Sequence, residues 1–358
     1  MKLTEFFNDD FFSLPRTQGP KEDYKTFVNR VLNEFLKKID NVENFEDVPF
    51  NKFLLNERQN FLVNQLKSTI SIYYDGKPAQ ALKEIKPALD SNIKDFEDFL
   101  NVREFEPSSN FFRIRIHKHN YPLKSENFFH IPFDLRGKIK TQRFSIPGFP
   151  SLYLGNSAYV CWEELNRPNL NDFQIVRLKS TKHLKVIDLA PPKGDNIEPY
   201  EYYKYLMIWP IVFACSVRVR NYDDFFKPEY IIPQLLLQWV REDNRIDGIS
   251  YQTTHINFTE SLSEGEFLNI VLPVKENKTK GLCAVLESKF QMTEATSVQL
   301  NQCSTHGIIG GGGAFQYNND KIKKIELIKG IPTDYNISVF GGLEDVLSKM
   351  ECNKITKP

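Results

Sequence analysis

The chain has 358 residues, of which 46 are basic and 46 are acidic, and its formal net charge at pH 7 is zero. A balanced charge creates no overall field that would attract nucleic acid or an anionic membrane, so we expect neither as a partner. The length allows two domains, or one elaborated domain, around a large core.

Cysteine content and hydropathy predict a soluble cytoplasmic protein. The five cysteines form no C-x-x-C motif, which is typical of reduced thiols rather than of a disulfide framework. The opening residues MKLTEFFNDDFF carry acidic groups where a signal peptide has its apolar core. The longest apolar run, residues 205–217, is too short to cross a bilayer. His117 and His119 have no cysteine or carboxylate cluster at ligand spacing, so no metal site is predicted.

The first part of the chain predicts a helical domain over residues 1–105. Residues 1–20 are predicted to form an irregular arm. From Tyr24 onward, apolar residues recur at spacings of three and four, which indicates an amphipathic helix. Further helices are predicted over residues 52–74 and 79–100, the second interrupted at Pro87 because proline has no amide hydrogen to donate.

After residue 106 the composition changes to aromatic and β-branched residues, which are typical of strands. Residues 111–117, FFRIRIH, alternate as a half-buried strand should, with Arg113 and Arg115 on the polar side. Further strands are predicted at 151–154, 174–178, 184–189, 249–251, 267–274 and 323–328. Helices are predicted from 158, over 200–217 with a kink at Pro210, and over 228–241. The glycines 310–313 lack the Lys-Ser/Thr of a phosphate-binding loop and are interpreted as a flexible loop.

The segment 143–165, RFSIPGFPSLYLGNSAYVCWEEL, carries more polar groups than a purely structural unit needs. A helix is predicted to begin at residue 158, with 100° between successive residues. On this helix Glu163 lies opposite the apolar face, and Glu164 lies at the border of that face. We therefore expect Glu163 to be a solvated surface charge and Glu164 to project into a cleft. Each polar residue alone also fits a structural role: a core aromatic for Tyr153, a loop cap for Arg143 and a surface charge for Glu164.

Three motifs together make the chain resemble the RES-domain family, named for its arginine, glutamate and serine. The first is Phe111-Phe112-Arg113; the second is Arg143 followed by Tyr153 and Glu164; the third is residues 247–253, DGISYQT. Members of that family are bacterial proteins known as toxins that consume NAD, and their fold is related to ADP-ribosyltransferases. The resemblance covers roughly residues 106–305. It departs from the family pattern at Thr253, which stands where serine is usual.

The resemblance implies an α+β fold with a mixed, largely antiparallel sheet and flanking helices. It implies a catalytic domain over residues 106–310, with residues 311–358 as an extension packing on it. It also implies NAD as the substrate, a possible inhibitory antitoxin or regulatory protein as a partner, and possible homo-oligomers. The implied catalytic residues are Glu164, Arg113, Tyr153 and Thr253. The implied NAD-binding residues are Arg113, Arg143, Tyr153 and Thr253.

The chemistry of NAD fits these residue types. Arginines bind pyrophosphate oxygens through charge-assisted hydrogen bonds, and tyrosine can stack on a ring. Cleavage of the nicotinamide–ribose bond develops positive charge on the ribose, which a neighbouring carboxylate such as Glu164 stabilises. The predicted activity is therefore NAD cleavage with water or phosphate as acceptor, in a toxin or defence effector. Two alternatives stay open: transfer of ADP-ribose to a macromolecule, and a degenerate domain that binds a nucleotide or partner without turnover.

Overall fold

The structure is a computed structural model of the chain. It describes residues 1–48, 51–94, 101–119, 121–193, 197–256, 258, 262, 265–302 and 319–355. The predicted flexible loop at glycines 310–313 lies outside these residues. None of the described helices is both long enough and apolar enough to cross a membrane.

Ten α-helices and ten strands are labelled here in chain order within the described residues. The helices are α1 Leu3–Phe7, α2 Tyr24–Asp40, α3 Lys52–Tyr74, α4 Pro78–Lys94, α5 Ala158–Glu164, α6 Pro199–Ser216, α7 Ile231–Glu242, α8 Ala284–Glu287, α9 Val298–Gln302 and α10 Val339–Lys349. The strands are β1 Val102–Phe105, β2 Asn110–Ile116, β3 Ser151–Gly155, β4 Phe173–Ser180, β5 Leu184–Asp188, β6 Gly248–Gln252, β7 Leu268–Pro273, β8 Phe290–Met292, β9 Lys324–Ile328 and β10 Ile331–Asp334.

The chain forms two compact units, each assembled from segments that are not contiguous in sequence. The helical unit comprises Met1–Val102, Thr141–Ile146 and Ile187–Asp243. The sheet unit comprises Arg103–Lys140, Pro147–Val186 and Asn244–Pro358. The predicted division into residues 1–105, 106–310 and 311–358 does not coincide with these units, because α6 and α7 follow the first strands in sequence and yet belong to the helical unit.

The start of the chain is ordered, and the prediction of an irregular arm over residues 1–20 is wrong. Helix α1 buries Leu3 and Phe6, and a 3₁₀-helix at Asp10–Phe12 buries Phe11 and Phe12. The Asp9 carboxylate accepts the amide hydrogen of Phe11 and so caps this 3₁₀-helix. These helices have only five and three residues, which is too short to give a periodic signal in the sequence, and tertiary burial stabilises them together with the capping contact.

The core of the helical unit is built around Trp209 of α6. Its ring stacks on Phe35 of α2, with 4.8 Å between ring centroids, and on Phe213, with 5.5 Å. Pro210 lies within α6 and cannot donate the hydrogen bond that the Leu206 carbonyl would otherwise accept. Gln59 of α3 supplies that donor, since its Nε2 lies 3.3 Å from the carbonyl oxygens of both Leu206 and Met207. Helix α6 therefore continues through the proline.

The sheet unit confirms the predicted α+β fold with a largely antiparallel sheet. Eight strands are ordered β1-β5-β6-β7-β3-β2-β4-β8, and a separate hairpin pairs β9 with β10. The pairings of β2 with β3 and β4, of β3 with β7, of β4 with β8 and of β6 with β7 are antiparallel. The β2–β3 register contains a single residue pair, Phe112 with Gly155, whereas the neighbouring β3–β7 register contains five. The sheet therefore opens between β2 and β3.

Helices α5 and α10 share an apolar core with the sheet. Phe112 and Phe173 from the strands, Tyr159 from α5 and Leu343 from α10 are all buried there. The rings of Trp162 and Phe340 lie 5.0 Å apart between the two helices. The carboxyl-terminal segment is therefore an integral part of the sheet unit.

Candidate functional site

Helix α5 is positioned by its N-terminal turn and by a glycine on the strand before it. The Ser157 hydroxyl caps the helix by accepting the amide hydrogen of Val160 at 3.1 Å. A Cβ atom on Gly155 would lie 2.7 Å from Cys161 Sγ and 3.0 Å from the Ser157 carbonyl oxygen. Because glycine has no such atom, α5 can pack directly against the end of β3.

A buried carboxylate also supports the start of α5. Glu344 of α10 accepts the Ala158 amide hydrogen at 2.7 Å, and it accepts hydrogen bonds from the Tyr335 hydroxyl and from Asn319. Burial raises the pKa of Glu344 to about 7, although its three donors act in the opposite direction. This cluster ties the carboxyl-terminal segment to the helix that carries Glu164.

Glu164 stands at the last position of α5, where strand β7 and the residue that follows strand β6 supply its partners. Thr253 Oγ1 donates to Glu164 Oε1 at 2.5 Å, and Asn269 Nδ2 donates to the same oxygen at 2.7 Å. The second oxygen, Oε2, lies 3.7 Å from Nε2 of His255. The Glu164 side chain is 27% exposed and that of His255 is 20% exposed. One oxygen of the carboxylate is therefore held by two donors, and the side chain as a whole reaches solvent.

Strand register brings these partners together. Asn269 lies directly opposite Gly155 of β3 and opposite Tyr251 of β6, so all three share one face of the sheet. Thr253 follows Tyr251 by two residues and therefore faces the same side. Its hydroxyl also accepts the amide hydrogen of His255 at 3.2 Å.

Arg113 of β2 forms a side-chain contact with β3, the strand with which β2 pairs at a single residue. Its Nη1 donates to the Tyr153 carbonyl oxygen at 3.2 Å, and the residue is only 9% exposed. Among the residues that the structure describes, no carboxylate lies within ion-pair distance of its guanidinium. Burial, and secondly the charge of Arg115, lower the pKa of Arg113 well below its usual range, while Cys161 and the Tyr153 phenol raise it. A guanidinium stays charged in proteins, so this unfavourable burial favours binding of an anion.

The thiol of Cys161 lies on the helix that carries Glu164 and contacts the strand that carries Arg113. It donates to the Phe112 carbonyl oxygen at 3.2 Å, and burial raises its pKa to about 12. Two smaller influences on that pKa come from Arg113, which lowers it, and from Glu164, which raises it. The sheet unit contains two hydrogen-bonded pairs of predicted site residues, Arg113 with Tyr153 and Thr253 with Glu164.

Arg143 is the predicted residue that the structure places in the helical unit. Its Nη1 donates to the carbonyl oxygens of Cys215 and Val217 at 3.0 and 2.8 Å, at the carboxyl end of α6. Its guanidinium lies 5.4 Å from the ring centroid of Tyr230. A cation at this position caps the helix and interacts favourably with its dipole. The structure thus assigns Arg143 the capping role that the sequence had left as an alternative.

Glu163 is buried, and the prediction that it is a solvated charge is wrong. It is 4% exposed and forms an ion pair with Arg167 at 2.8 Å. Helix α5 ends one residue later, and the chain turns back so that Arg167 covers the carboxylate. The turn that follows α5 covers the helix face on which Glu163 lies, and helical periodicity alone gives no information about that turn.

Sequence reasoning missed Asn269 and His255. Asn269 is a buried amide within β7, whose sequence LNIVLP is otherwise apolar, and that contrast is a signal that could have identified it. His255 follows Thr253 by two residues, but nothing in the local sequence indicates that its ring approaches Glu164.

Two other polar residues of the sheet unit, Arg115 and His130, have structural partners. Arg115 donates to the carbonyl oxygens of Asn127 and Phe129. His130 accepts the Cys283 amide hydrogen, and burial lowers its pKa to about 4. Its ring is therefore neutral at physiological pH.

Exposed side chains of Glu104, Glu106 and His183 bring potential metal-ligand atoms within 4.8 Å of one another. Glu104 is paired with Lys185 at 2.8 Å. Exposed acidic groups of this kind are common on protein surfaces without an ion, and we assign this cluster no role.

The fold and site define an α+β protein whose sheet unit carries a candidate site built from the Glu164 carboxylate and the buried guanidinium of Arg113. The chain is 34% identical over 301 residues to a protein of Bacillus subtilis (strain 168) named "Putative toxin YopC". The match covers 78% of this chain and 67% of that protein, and the chain belongs to its family. No family model matches the chain, and no solved structure matches it.

Proposed function

We propose that this protein is a toxin that cleaves NAD at the bond between nicotinamide and ribose, as its resemblance to the RES-domain family implies. One observation carries the proposal: a carboxylate held on one oxygen by Thr253 and Asn269 lies in the same unit as a buried arginine without a carboxylate partner among the described residues. The carboxylate can stabilise a cationic transition state, and the arginine can bind an anionic group of the substrate.

Arg113 is the proposed pyrophosphate-binding residue. A desolvated cation gains most from a ligand that brings negative charge and several acceptor oxygens, and the pyrophosphate of NAD offers both. Nη1 is engaged with the Tyr153 carbonyl, which fixes the orientation of the guanidinium plane. Tyr153 is half-buried on β3 and is the proposed contact for a ring or a ribose hydroxyl.

Glu164 is the proposed catalytic residue. When the glycosidic bond breaks, nicotinamide leaves with the bonding electron pair and positive charge develops on the ribose. A negative oxygen beside the sugar stabilises that charge in the transition state more than in the substrate, which is the condition for catalysis. Thr253 and Asn269 hold Oε1, so the carboxylate is already oriented before the substrate binds.

Threonine at position 253 keeps the hydroxyl that the serine of the RES-domain pattern would supply. Its hydroxyl donates to Glu164 and accepts from His255, and the whole residue is buried. This arrangement favours an active enzyme over a degenerate domain.

The toxic role follows from the name of the Bacillus subtilis relative. An enzyme that depletes NAD would stop growth, and such an activity calls for an inhibitory antitoxin or a regulatory protein as partner. The substrate is NAD, and the proposed chemistry needs no metal.

The proposal is tested by incubating the purified protein with NAD and separating the products by chromatography. We expect nicotinamide and ADP-ribose to appear, and we expect Glu164→Gln to reduce the rate by about 100-fold or more. Glu351→Gln, which changes an exposed glutamate, is the matched control and should leave the rate unchanged.

The acceptor is identified in the same experiment. Added phosphate would yield ADP-ribose 1-phosphate if phosphate is the acceptor, and NAD labelled in the adenosine would label a macromolecule if the protein is a transferase. An unchanged NAD concentration in all these conditions, with wild type and Glu164→Gln indistinguishable, would overturn the proposal.

A further inference from the structure

We propose that Asn269 is a positioning residue that holds the carboxylate of Glu164 in its working orientation. This inference rests on the proposed function and assigns a role to a residue that neither the resemblance nor the relative's name indicates.

Asn269 is placed where an apolar side chain would otherwise pack. It is 6% exposed, and the other residues of β7 are the apolar Leu268, Ile270, Val271, Leu272 and Pro273. A buried amide costs free energy unless its hydrogen bonds are formed. Asn269 Nδ2 forms one with Glu164 Oε1 at 2.7 Å, and a bond to a charged acceptor is stronger than a bond between neutral groups.

The position of Asn269 on the sheet makes this contact rigid. It lies between Gly155 and Tyr251 in a row of three paired strands, so its backbone is held on both sides. Gly155, which lies beside it, is the residue that lets α5 approach the sheet. The helix end that carries Glu164 and the strand that carries Asn269 are therefore brought to a defined separation.

Asn269, on β7, and Thr253, which directly follows β6, donate to the same oxygen. Two donors on Oε1 restrict rotation of the carboxylate more than one donor does. The remaining oxygen, Oε2, is the one near the partly exposed His255. Neither Thr253 nor Asn269 donates to Oε2.

The test compares Asn269→Leu and Asn269→Asp with wild type. Leucine has a similar volume and no donor, and aspartate has the same shape but presents a carboxylate to a carboxylate. We expect kcat to fall about 10-fold for leucine and further for aspartate, while the Kd for NAD stays within a factor of about two. Equal kcat values for wild type and Asn269→Leu, or a loss confined to Kd, would overturn the proposal.

Gln174→Leu is the matched control. Gln174 is another buried amide on a strand of the sheet unit, and its hydrogen bonds go to the main chain of His119, Tyr121 and Leu123. This variant should lower the melting temperature and leave kcat per folded molecule unchanged. A drop in kcat like that of Asn269→Leu would show a general structural effect and would also overturn the proposal.

A second comparison separates this inference from the proposed function. In a Glu164→Gln background, Asn269→Leu should have a much smaller effect on kcat, because a residue that acts through Glu164 has lost its target. The melting temperatures of Asn269→Leu, Glu164→Leu and the double variant report the same coupling without any need for activity. Melting-temperature shifts that add in the double variant would overturn the inference. If the shifts do not add and the protein leaves NAD intact, the coupling between Asn269 and Glu164 is supported and only the proposed function is wrong.

Discussion

Thr253 and Glu164 are 89 residues apart in sequence, and the threonine hydroxyl donates to the glutamate carboxylate at 2.5 Å. The same hydroxyl oxygen accepts the amide hydrogen of His255 at 3.2 Å. A single side chain thereby connects the end of helix α5 with the chain that leaves strand β6.

This contact predicts different outcomes for two substitutions at position 253. Thr253→Ser keeps the hydroxyl and should retain most of the NAD-cleaving rate. Thr253→Val keeps the volume but removes the donor, and should lower kcat about 10-fold because a hydrogen bond to a charged group is lost. Steady-state kinetics with NAD provide the measurement, and a valine variant as active as wild type would contradict the proposed role of the hydroxyl.

The burial of Arg113 predicts opposite effects on stability and on ligand binding. Arg113→Met removes a buried cation without a carboxylate partner among the described residues, so the melting temperature of the free protein should stay the same or rise. The same change should weaken binding of ADP-ribose, which carries the pyrophosphate, by roughly 10-fold or more. Thermal-shift measurements with and without ADP-ribose test both effects. A methionine variant stabilised by ADP-ribose as strongly as wild type would argue against pyrophosphate binding at Arg113.

Glu344 predicts a pH dependence of stability. Its pKa is raised to about 7 from an ordinary value of 4.5, so its protonated form is favoured in the folded state. The contribution of Glu344 to the free energy of unfolding is therefore fully present below about pH 4.5 and is lost as the pH rises through about 7. Its magnitude is on the order of 3 kcal/mol.

Glu344→Gln isolates that contribution, because glutamine is uncharged at every pH and its carbonyl oxygen can still accept the Ala158 amide hydrogen. The free energy of unfolding of wild type minus that of the variant should decrease between pH 4.5 and 7 and be constant at higher pH. Urea denaturation across this range gives the values. A difference that does not change with pH would show that Glu344 is ionised in the same way in the folded and unfolded chains.

The contact of Gln59 with α6 predicts a stability effect that depends on Pro210. Gln59→Leu removes the donor to the Leu206 and Met207 carbonyl oxygens and should destabilise the protein by about 1–3 kcal/mol. In a Pro210→Ala background the alanine amide hydrogen pairs with Leu206, so Gln59→Leu should cost less. Equal losses of unfolding free energy in the two backgrounds, measured by urea denaturation, would show that Gln59 does not compensate for the proline.

Local patterns in the sequence predicted much of the secondary structure. The spacing of apolar residues located α2, because an amphipathic helix repeats its buried face every three or four residues whatever lies opposite. Alternation located β2 and placed Phe112 and Ile114 on its apolar side for the same reason. The grouping of α6 and α7 with the first helices had no such signal, since it depends on which distant segments pack together.

The sequence by itself determined the periodic elements and the residue types available for chemistry, because these depend on neighbours a few positions away, and the α+β class came from the resemblance to a known family. Only the tertiary structure decided that Glu163 is buried, that Arg143 caps α6 and that Asn269, 105 residues from Glu164, holds its carboxylate. Burial and hydrogen bonding are properties of what surrounds a side chain in space, and the surroundings of these residues are supplied by the packing of turns, helix ends and paired strands.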